Sequence, residues 1–286
     1  MNLVNGIANA LFDLLCGPVR WFGPLPTLVL VSGVFGVLAL IAFKHLSFQK
    51  RIKATKDRIK AHLIEIRIYQ DDLAIVGKAI LKVLGRNLQY LALNLVPIVP
   101  LALPFGLVAA QLVTRFGFAP VPVAGPAVAG ATHLAGSGTT LRIQLAPGSE
   151  ARVAELRVTY PPGVEAVSPL VRDPFAGEAW QEIVARAPGE HAIEIALGAE
   201  KEAKLLAAGT QPARLQPERG RGFWSALLWP AERSFGSDSG FERVSFEYPA
   251  REIAWLPAGP GGVLLVFLLS SMLFGALLMK PLKVQV

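Results

Sequence analysis

The chain has 286 residues, of which 52% are hydrophobic, with a single cysteine and a net charge of +7. One cysteine excludes an internal disulfide. The basic residues are not interleaved with aromatic residues and form no binding motif, so the charge does not favour a specific nucleic-acid partner. The apolar residues concentrate in three blocks, whereas residues 120–255 have the composition of a soluble domain. The sequence therefore predicts a membrane domain formed by both ends of the chain and a soluble domain inserted between them.

Residues 1–25 are predicted to form an amphipathic helix that lies in the membrane interface. Apolar and polar residues separate onto opposite faces at helical spacing. The apolar face holds Leu3, Val4, Ile7, Ala8, Leu11, Phe12 and Leu15, and the polar face holds Asn5, Asn9 and Asp13. Gly17 and Pro18 should end the helix, and Trp21 and Phe22 suit the boundary between water and lipid.

Three apolar blocks are predicted to cross the membrane. They are residues 26–43, residues 88–113 and residues 261–279, the last within the C-terminal segment 259–286. Helices of these lengths approach or match a hydrocarbon core about 30 Å thick. The sequence therefore predicts three spans, with the two ends of the membrane domain on opposite sides.

The second predicted span differs from the others in its prolines. It contains Pro97, Pro100 and Pro104. A proline removes one backbone donor, and a span tolerates this where neighbouring groups satisfy the freed carbonyls. This helix is therefore expected to be kinked or partly unwound.

The segment between the first two spans, residues 47–85, is predicted to form a coiled-coil hairpin of two antiparallel helices. Both ends of the segment must return to the same membrane face, which one straight helix cannot do. The turn is expected at residues 69–72, where Asp71 or Asp72 would cap the second helix. Apolar residues at spacings of three, four and seven form a helical stripe, consisting of Ile52, Ile59, Leu63, Ile66, Leu73, Val76, Ile80 and Leu84.

The distribution of charge predicts the orientation of the chain. Residues 44–86 contain eleven Lys and Arg against four Asp and Glu, and the C-terminal tail adds Lys280 and Lys283. Residues 116–258 contain thirteen basic and sixteen acidic residues. The positive-inside rule therefore places the hairpin and the C-terminus in the cytoplasm, and the N-terminus and the inserted domain outside it. A bacterial plasma membrane fits this arrangement.

After a linker rich in proline, alanine and glycine at residues 116–131, residues 132–255 are predicted to form an extracytoplasmic antiparallel β-sandwich. Short alternating runs recur at intervals of about 8–12 residues, and turn sequences separate several of them. The runs are residues 141–145, 154–160, 179–185, 191–197 and 241–248.

A helical or looped segment near residues 223–229 interrupts the predicted strands. Four residues in or beside it, Arg219, Arg221, Trp224 and Trp229, could form a surface for another envelope protein. They could equally pack on their own sheet or on the membrane surface. The sequence leaves both interpretations open.

Three local sequences carry a resemblance to a known family. They are the exit of the first span at residues 43–50 (FKHLSFQK), the hairpin sequence at residues 56–67 (KDRIKAHLIEIR) and the run Asp71-Asp72-Leu73. Together with the order of elements, they resemble the core of the YidC/Oxa/Alb membrane insertase superfamily, including relatives in the ER membrane complex and the Get pathway. The resemblance covers about residues 1–115 and 261–286 and lies mainly in topology.

The resemblance implies an insertase-like or chaperone-like protein with a polar groove open to the cytoplasm and to lipid. Such a groove eases the entry of polar client segments, because burying a polar group without a partner costs about 2–7 kcal/mol. Bacterial members often carry an arginine in the first span, whereas residues 26–43 contain none. The groove candidates are Arg86, Asn87, Gln89 and Asn94 in the second span and Ser270 and Ser271 in the third. These residues could instead join helices by hydrogen bonds, with Arg86 anchored at the headgroups.

The resemblance also implies that the hairpin meets the ribosome or a nascent membrane protein. Its basic contact candidates are Lys53, Lys56, Arg58, Lys60 and Arg67. The alternative is a non-catalytic anchor or scaffold subunit of an envelope complex, whose β-sandwich binds an extracytoplasmic partner. No nucleophile–base pair, phosphate loop or metal-ligand spacing is recognisable, so we expect no enzymatic activity and no cofactor. Membrane lipids are expected to surround the spans.

Overall fold

A computed structural model describes residues 1–124, 138–282 and 284. Three of its helices are long and apolar enough to cross a membrane: α2 (Pro24–Leu46), α5 (Ile98–Phe116) and α7 (Gly259–Met279). The structure also contains a separate region of antiparallel β-sheet. The prediction of three apolar membrane helices with an inserted β-rich region is therefore confirmed at this level.

The chain divides into two compact units. The first, called here the β unit, comprises Met1–Leu28 and Leu107–Leu265. The second, called here the helical unit, comprises Val29–Gly106 and Val266–Val286. The N-terminal helix α1 (Asn2–Cys16) thus belongs to the β unit and not to the helical unit.

The β unit contains two antiparallel sheets that share one hydrophobic core. The larger sheet has the order β3-β5-β1-β9-β8, with β4 also paired to β5, and the smaller has the order β2-β6-β7. Leu141 and Ile143 of the larger sheet lie in the same buried cluster as Ile193 and Ile195 of the smaller. The strands are β1 (Gly138–Leu145), β2 (Leu156–Thr159), β3 (Val164–Ala166), β4 (Val171–Asp173), β5 (Glu178–Ala185), β6 (Gly189–Leu197), β7 (Glu200–Ala208), β8 (Glu218–Gly220) and β9 (Phe241–Phe246).

All five predicted strand segments contain a strand, and the described residues form four further strands that were not predicted. The longest of these is β7, whose sequence EKEAKLLAA consists mainly of good helix formers. It is nevertheless extended, because Gly198 adopts a positive φ of 61° in the turn and β7 then pairs with β6 from Glu200 to Ala208. Pairing and burial in the sheet override the helix propensity of single residues.

The predicted linker is part of the β unit where the structure describes it. The Val121 amide donates to the Ala207 carbonyl at 3.0 Å, and the Gly209 amide donates back to the Val121 carbonyl at 2.9 Å. Val121 is also buried in the shared core. A linker at residues 116–131 is therefore the wrong description of residues 117–124, because their backbone is paired with the sheets. Residues 125–137, which include the rest of the linker, lie outside the described part of the chain.

Two partly buried tyrosines connect segments of the β unit and link its stability to pH. The Tyr160 hydroxyl donates to Gln181 Oε1 at 2.7 Å, and the Tyr248 hydroxyl accepts a hydrogen bond from the Ala207 amide at 3.0 Å. Burial raises the pKa of both phenols above their ordinary value of 10. A phenol whose pKa is higher in the folded state contributes stability that is fully present below pH 10 and is lost as the pH rises through the folded pKa.

We therefore expect the free energy of unfolding to fall above pH 10, by up to about 1.4 kcal/mol per pH unit for each of the two tyrosines. Urea unfolding at a series of alkaline pH values measures this slope. Tyr160→Phe and Tyr248→Phe should each make it shallower, whereas the control Tyr69→Phe, at an exposed position, should leave it unchanged. A slope that changes in neither Tyr160→Phe nor Tyr248→Phe would contradict the assignment.

The helical unit contains the predicted hairpin. Its arms are α3 (Gln49–Ile68) and α4 (Leu73–Leu95), joined at the expected turn. Asp72 Oδ1 accepts hydrogen bonds from the Ala74 amide at 2.9 Å and the Ile75 amide at 3.1 Å, so Asp72 is the cap. The turn and one of the two proposed caps are confirmed.

The bounds of the second span differ from the prediction. The helix α4 continues past residue 85 to Leu95, and the apolar helix α5 begins only at Ile98. The break falls at Val96 and Pro97, because proline lacks the amide that would continue the α4 hydrogen-bond pattern. The predicted span of residues 88–113 therefore combined the end of the hairpin arm with most of α5.

The predicted apolar stripe of the hairpin is only partly buried. Ile52 is fully buried, but Leu63, Leu73, Ile80 and Leu84 are each more than half exposed. A polar contact also joins the two arms, because Glu65 of α3 pairs with Lys82 of α4 at 3.6 Å. The same carboxylate accepts from His62 of α3. The apolar stripe therefore does not form the continuous buried interface of a coiled coil. Much of it remains available to lipid or to another protein.

Candidate functional site

The predicted groove residues of the second span lie on α4, one helix earlier than expected. Arg86 Nη1 donates to Gln89 Oε1 at 2.7 Å, and both side chains are at least partly accessible. Asn87 Nδ2 donates to the Val83 carbonyl of its own helix at 2.9 Å. Arg86, Asn87 and Gln89 therefore lie at accessible positions of α4, outside the three helices that are long and apolar enough to cross a membrane.

Asn94, near the end of α4, differs from the other three because it has a side-chain acceptor that is buried and unused. Its Nδ2 donates to the Tyr90 carbonyl at 2.8 Å, whereas its Oδ1 is buried and has no hydrogen-bond partner among the described residues. Ser32 of α2 is fully buried and its hydroxyl is likewise unpartnered within that part of the chain. Buried polar atoms without partners are uncommon, and each one is a candidate for binding a group supplied from outside.

The two serines of α7 are both buried. Ser271 lies against Gly36 of α2, where a Cβ added to the glycine would stand 2.2 Å from the Ser271 carbonyl oxygen. The Ser271 hydroxyl donates to the Leu268 carbonyl at 3.0 Å, and Ser270 is buried. The backbone of Ser271 therefore lies in a close contact between two helices. A groove lined by Ser270 and Ser271 stays a prediction.

The basic hairpin candidates all lie on α3, and most are accessible. Lys53, Arg58, Lys60 and Arg67 are exposed. Lys56 is half-buried, with its Nζ 5.5 Å from the centre of the Tyr90 ring on α4. Four of the five candidates can therefore meet an acidic partner without any change in the fold.

Three of the four residues proposed as a partner surface instead hold the β unit together. Arg219 pairs with Glu202 at 2.8 Å and lies over the Phe235 ring at 4.2 Å. Arg221 pairs with Glu242 at 2.8 Å. Packing of these residues on their own sheet was one of the two interpretations left open by the sequence.

Trp229 is the third proposed surface residue that packs within the β unit. The centre of its ring lies 6.1 Å from the centre of the Phe118 ring. Trp224, by contrast, lies on the short helix α6 (Gly222–Leu228) and is 70% exposed, beside the exposed Phe223. Of the four candidates, Trp224 therefore remains available to a partner or to the membrane surface.

A buried polar network in the β unit was not predicted. Gln111 Nε2 of α5 donates to Asn9 Oδ1 of α1 at 2.9 Å, and Arg115 Nη1 donates to Gln111 Oε1. Arg115 Nη2 donates to Asp13 Oδ1 at 2.7 Å and to the Asn9 carbonyl at 3.1 Å. The polar face of α1 is therefore turned towards its own chain, and the network fixes α1 beside the end of α5.

Further contacts of α1 with the rest of the β unit complete this arrangement. Asn5 Nδ2 donates to the Ala226 carbonyl at 2.7 Å, and Asn9 Nδ2 donates to the Pro230 carbonyl at 2.9 Å. The opposite face of α1 exposes Leu3, Ile7 and other apolar residues. The spacing of Asn5, Asn9 and Asp13 was the visible sequence pattern, but it does not reveal what the polar face contacts.

No protein-family model matches the chain, and a search of curated proteins finds no match. Within residues 1–124, 138–282 and 284, no group of three or more His, Cys, Asp and Glu residues is placed to hold a metal ion. The candidate sites are therefore judged by the chemistry of their own residues.

Proposed function

We propose that the protein is an insertase-like or chaperone-like membrane protein that assists the insertion or assembly of other membrane proteins. The observation that carries the proposal is the unpartnered, buried Oδ1 of Asn94 at the end of α4, directly before the break at Pro97 and the apolar helix α5. A client segment that supplies a backbone or side-chain donor would satisfy this oxygen. The interaction would offset part of the roughly 2–7 kcal/mol that an unpaired polar group costs outside water.

The exposed apolar face of α4 supports the same function. Leu81, Leu84, Leu88, Leu91 and Leu95 recur at spacings of three and four, and each is at least half exposed. An exposed stripe of this length on a stable helix marks contact with lipid or with an apolar segment of another protein. Asn94 follows Leu91 of the stripe by three residues, and side chains at this spacing are neighbours on a helix. One client segment could therefore contact the stripe and reach the Asn94 acceptor.

In this proposal, the hairpin and the C-terminus lie in the cytoplasm of a cell with a plasma membrane of bacterial type, and the β unit lies outside. The excess of basic residues at positions 44–86 supports this orientation. The exposed Lys53, Arg58 and Lys60 of α3 would then meet a ribosome or a nascent chain by attraction between opposite charges.

Site-specific photo-crosslinking during translation in membranes tests the proposal. A photoreactive residue at position 94 is expected to capture nascent membrane proteins, because a client that satisfies Asn94 must come within bonding distance of it. The matched control carries the same residue at position 175, since Phe175 is 96% exposed in the β unit, and it should capture far less nascent chain.

Capture of lipid and of the same fixed protein subunits at position 94, whatever is being translated, would overturn the insertase proposal. That result would favour the other interpretation, an anchor or scaffold subunit of an envelope complex. Equal capture of nascent chains at positions 94 and 175 would show that nascent chains contact the protein but have no binding site at Asn94.

A further inference from the structure

A cavity of about 380 Å³ in the β unit contains more positive charge than the chain itself neutralises. Its lining includes Arg20, Arg115 and Arg251, with Asp13 as the carboxylate. Asp13 is already engaged, since its Oδ1 accepts from Arg115 at 2.7 Å and its Oδ2 lies 3.9 Å from Arg214. The cavity size falls within the range of about 300–1,000 Å³ that small-molecule sites occupy.

The two arginines not bound to Asp13 have no carboxylate partner among the described residues. Arg20 makes no side-chain hydrogen bond or ion pair there, and Arg251 Nη1 donates to the Arg115 carbonyl at 3.2 Å. Burial lowers the pKa of Arg251, and the nearby positive charge of Arg20 lowers it further. Two guanidinium groups placed near each other repel, and an anion between them would convert that repulsion into attraction.

The position of the cavity indicates where such an anion would come from. Its lining includes Pro24 and Thr27 at the start of α2, and Arg115 and Phe116 at the end of α5. Both are helices long enough to span a membrane. The end of a span lies at the level of the lipid headgroups, where arginine side chains commonly anchor.

We infer that this cavity binds a phosphate group, supplied by the headgroup of an anionic phospholipid, with Arg20 and Arg251 as the phosphate ligands. Guanidinium groups suit this chemistry because their planar donors match phosphate oxygens in pairs. An anionic headgroup is favoured over a zwitterionic one because the latter brings its own cation to a site that already has excess positive charge. Arg115 has a positioning role, since its guanidinium donors are directed to Gln111, Asn9 and Asp13.

Lipid titration of the full-length protein in mild detergent tests the inference. Phosphatidylglycerol is expected to raise the thermal unfolding temperature in a saturable way, and phosphatidylcholine with the same acyl chains is expected to do so much less. In the variant Arg20→Gln/Arg251→Gln, the apparent affinity for phosphatidylglycerol should fall about tenfold or more, because two charged contacts are lost. Arg157→Gln, at an exposed position on β2, is the matched control and should bind like the wild type.

Inorganic phosphate in a separate titration identifies the source of the phosphate group. Stabilisation by inorganic phosphate that the double variant loses would support the site and assign it to free phosphate instead of lipid. Equal stabilisation of the wild type and the double variant by phosphatidylglycerol, or no stabilisation by either compound, would overturn the inference. Arg20 is exposed, so the single variant Arg20→Gln repeats the test without a buried substitution.

Discussion

Replacing Lys204 with methionine is expected to lower the free energy of unfolding of the β unit by about 3–5 kcal/mol, the range observed when one partner of a buried ion pair is removed. Lys204 lies on β7 with a fully buried side chain. Its ammonium group donates to the Gln216 carbonyl at 2.7 Å and pairs with Glu232, whose side chain is only 14% exposed. The methionine side chain has no hydrogen-bond donor, so both acceptors lose the donor that Lys204 supplies.

The effect should extend to the loop that carries these acceptors. Gln216 Oε1 accepts hydrogen bonds from the Ala231 amide at 2.8 Å and the Glu232 amide at 2.9 Å, so Gln216 and Glu232 form one network with Lys204. Urea unfolding of the full-length protein in detergent, followed by tryptophan fluorescence, measures the loss. The variant Lys204→Met/Glu232→Gln should be more stable than Lys204→Met alone, because it removes the uncompensated charge.

Lys201→Met is the matched control for this prediction. Lys201 lies on the same strand, but its side chain is exposed, so the change should stay within about 0.5 kcal/mol of the wild type. A loss of less than about 1 kcal/mol for Lys204→Met, or no difference between that variant and Lys201→Met, would contradict the structural role assigned to the buried pair.

Replacing Gly36 with alanine should destabilise the helical unit by about 1–3 kcal/mol or more, the usual range for overpacking. A Cβ at position 36 would stand 2.2 Å from the Ser271 carbonyl oxygen and 2.6 Å from the Ser271 Cα. Both are backbone atoms of α7, so no side-chain rotation can relieve the clash. The two helices must move apart, and the packing energy of their close contact is lost.

Gly77→Ala provides the control, because a Cβ at position 77 of α4 meets open space. Alanine is favoured over glycine in a helix by about 0.5–1 kcal/mol, so this variant should be as stable as the wild type or slightly more stable. Thermal unfolding of the full-length protein in detergent compares the two. Equal unfolding temperatures for Gly36→Ala and the wild type would show that α2 and α7 do not approach at Gly36.

The elements that could be predicted from the sequence are those with a strong local pattern. The turn of the hairpin was predicted because Asp72 is a favourable cap and apolar spacing continues on both sides of it. The β7 strand was not predicted, because residues such as Glu200 and Lys201 favour a helix and only pairing with β6 makes them extended. The prolines of the second span were recognised, but the point at which the helix ends was not.

The residues of the candidate sites were predictable by type more than by position. Asn94 was predicted as a polar groove residue within the second span, but its unpaired oxygen is a property of the folded helix. Ser271 was proposed for a groove, and only the packing of α7 on Gly36 shows that its backbone lies in a close contact between two helices. Arg20, Arg115 and Arg251 are far apart in the sequence, and no local pattern indicates that they line one cavity.

The sequence by itself determined the three apolar helices, the hairpin between the first two and the presence of a strand-rich insertion, because each depends on composition and periodicity over neighbouring residues. The tertiary structure decided which polar groups find partners. Asn9, Gln111 and Arg115 form a buried network because α1 lies beside the end of α5. Asn94 Oδ1 remains unpaired because none of the described residues brings it a donor. Hydrogen bonds and ion pairs act over a few ångströms, so contacts between distant parts of the chain are fixed only when the fold brings them together.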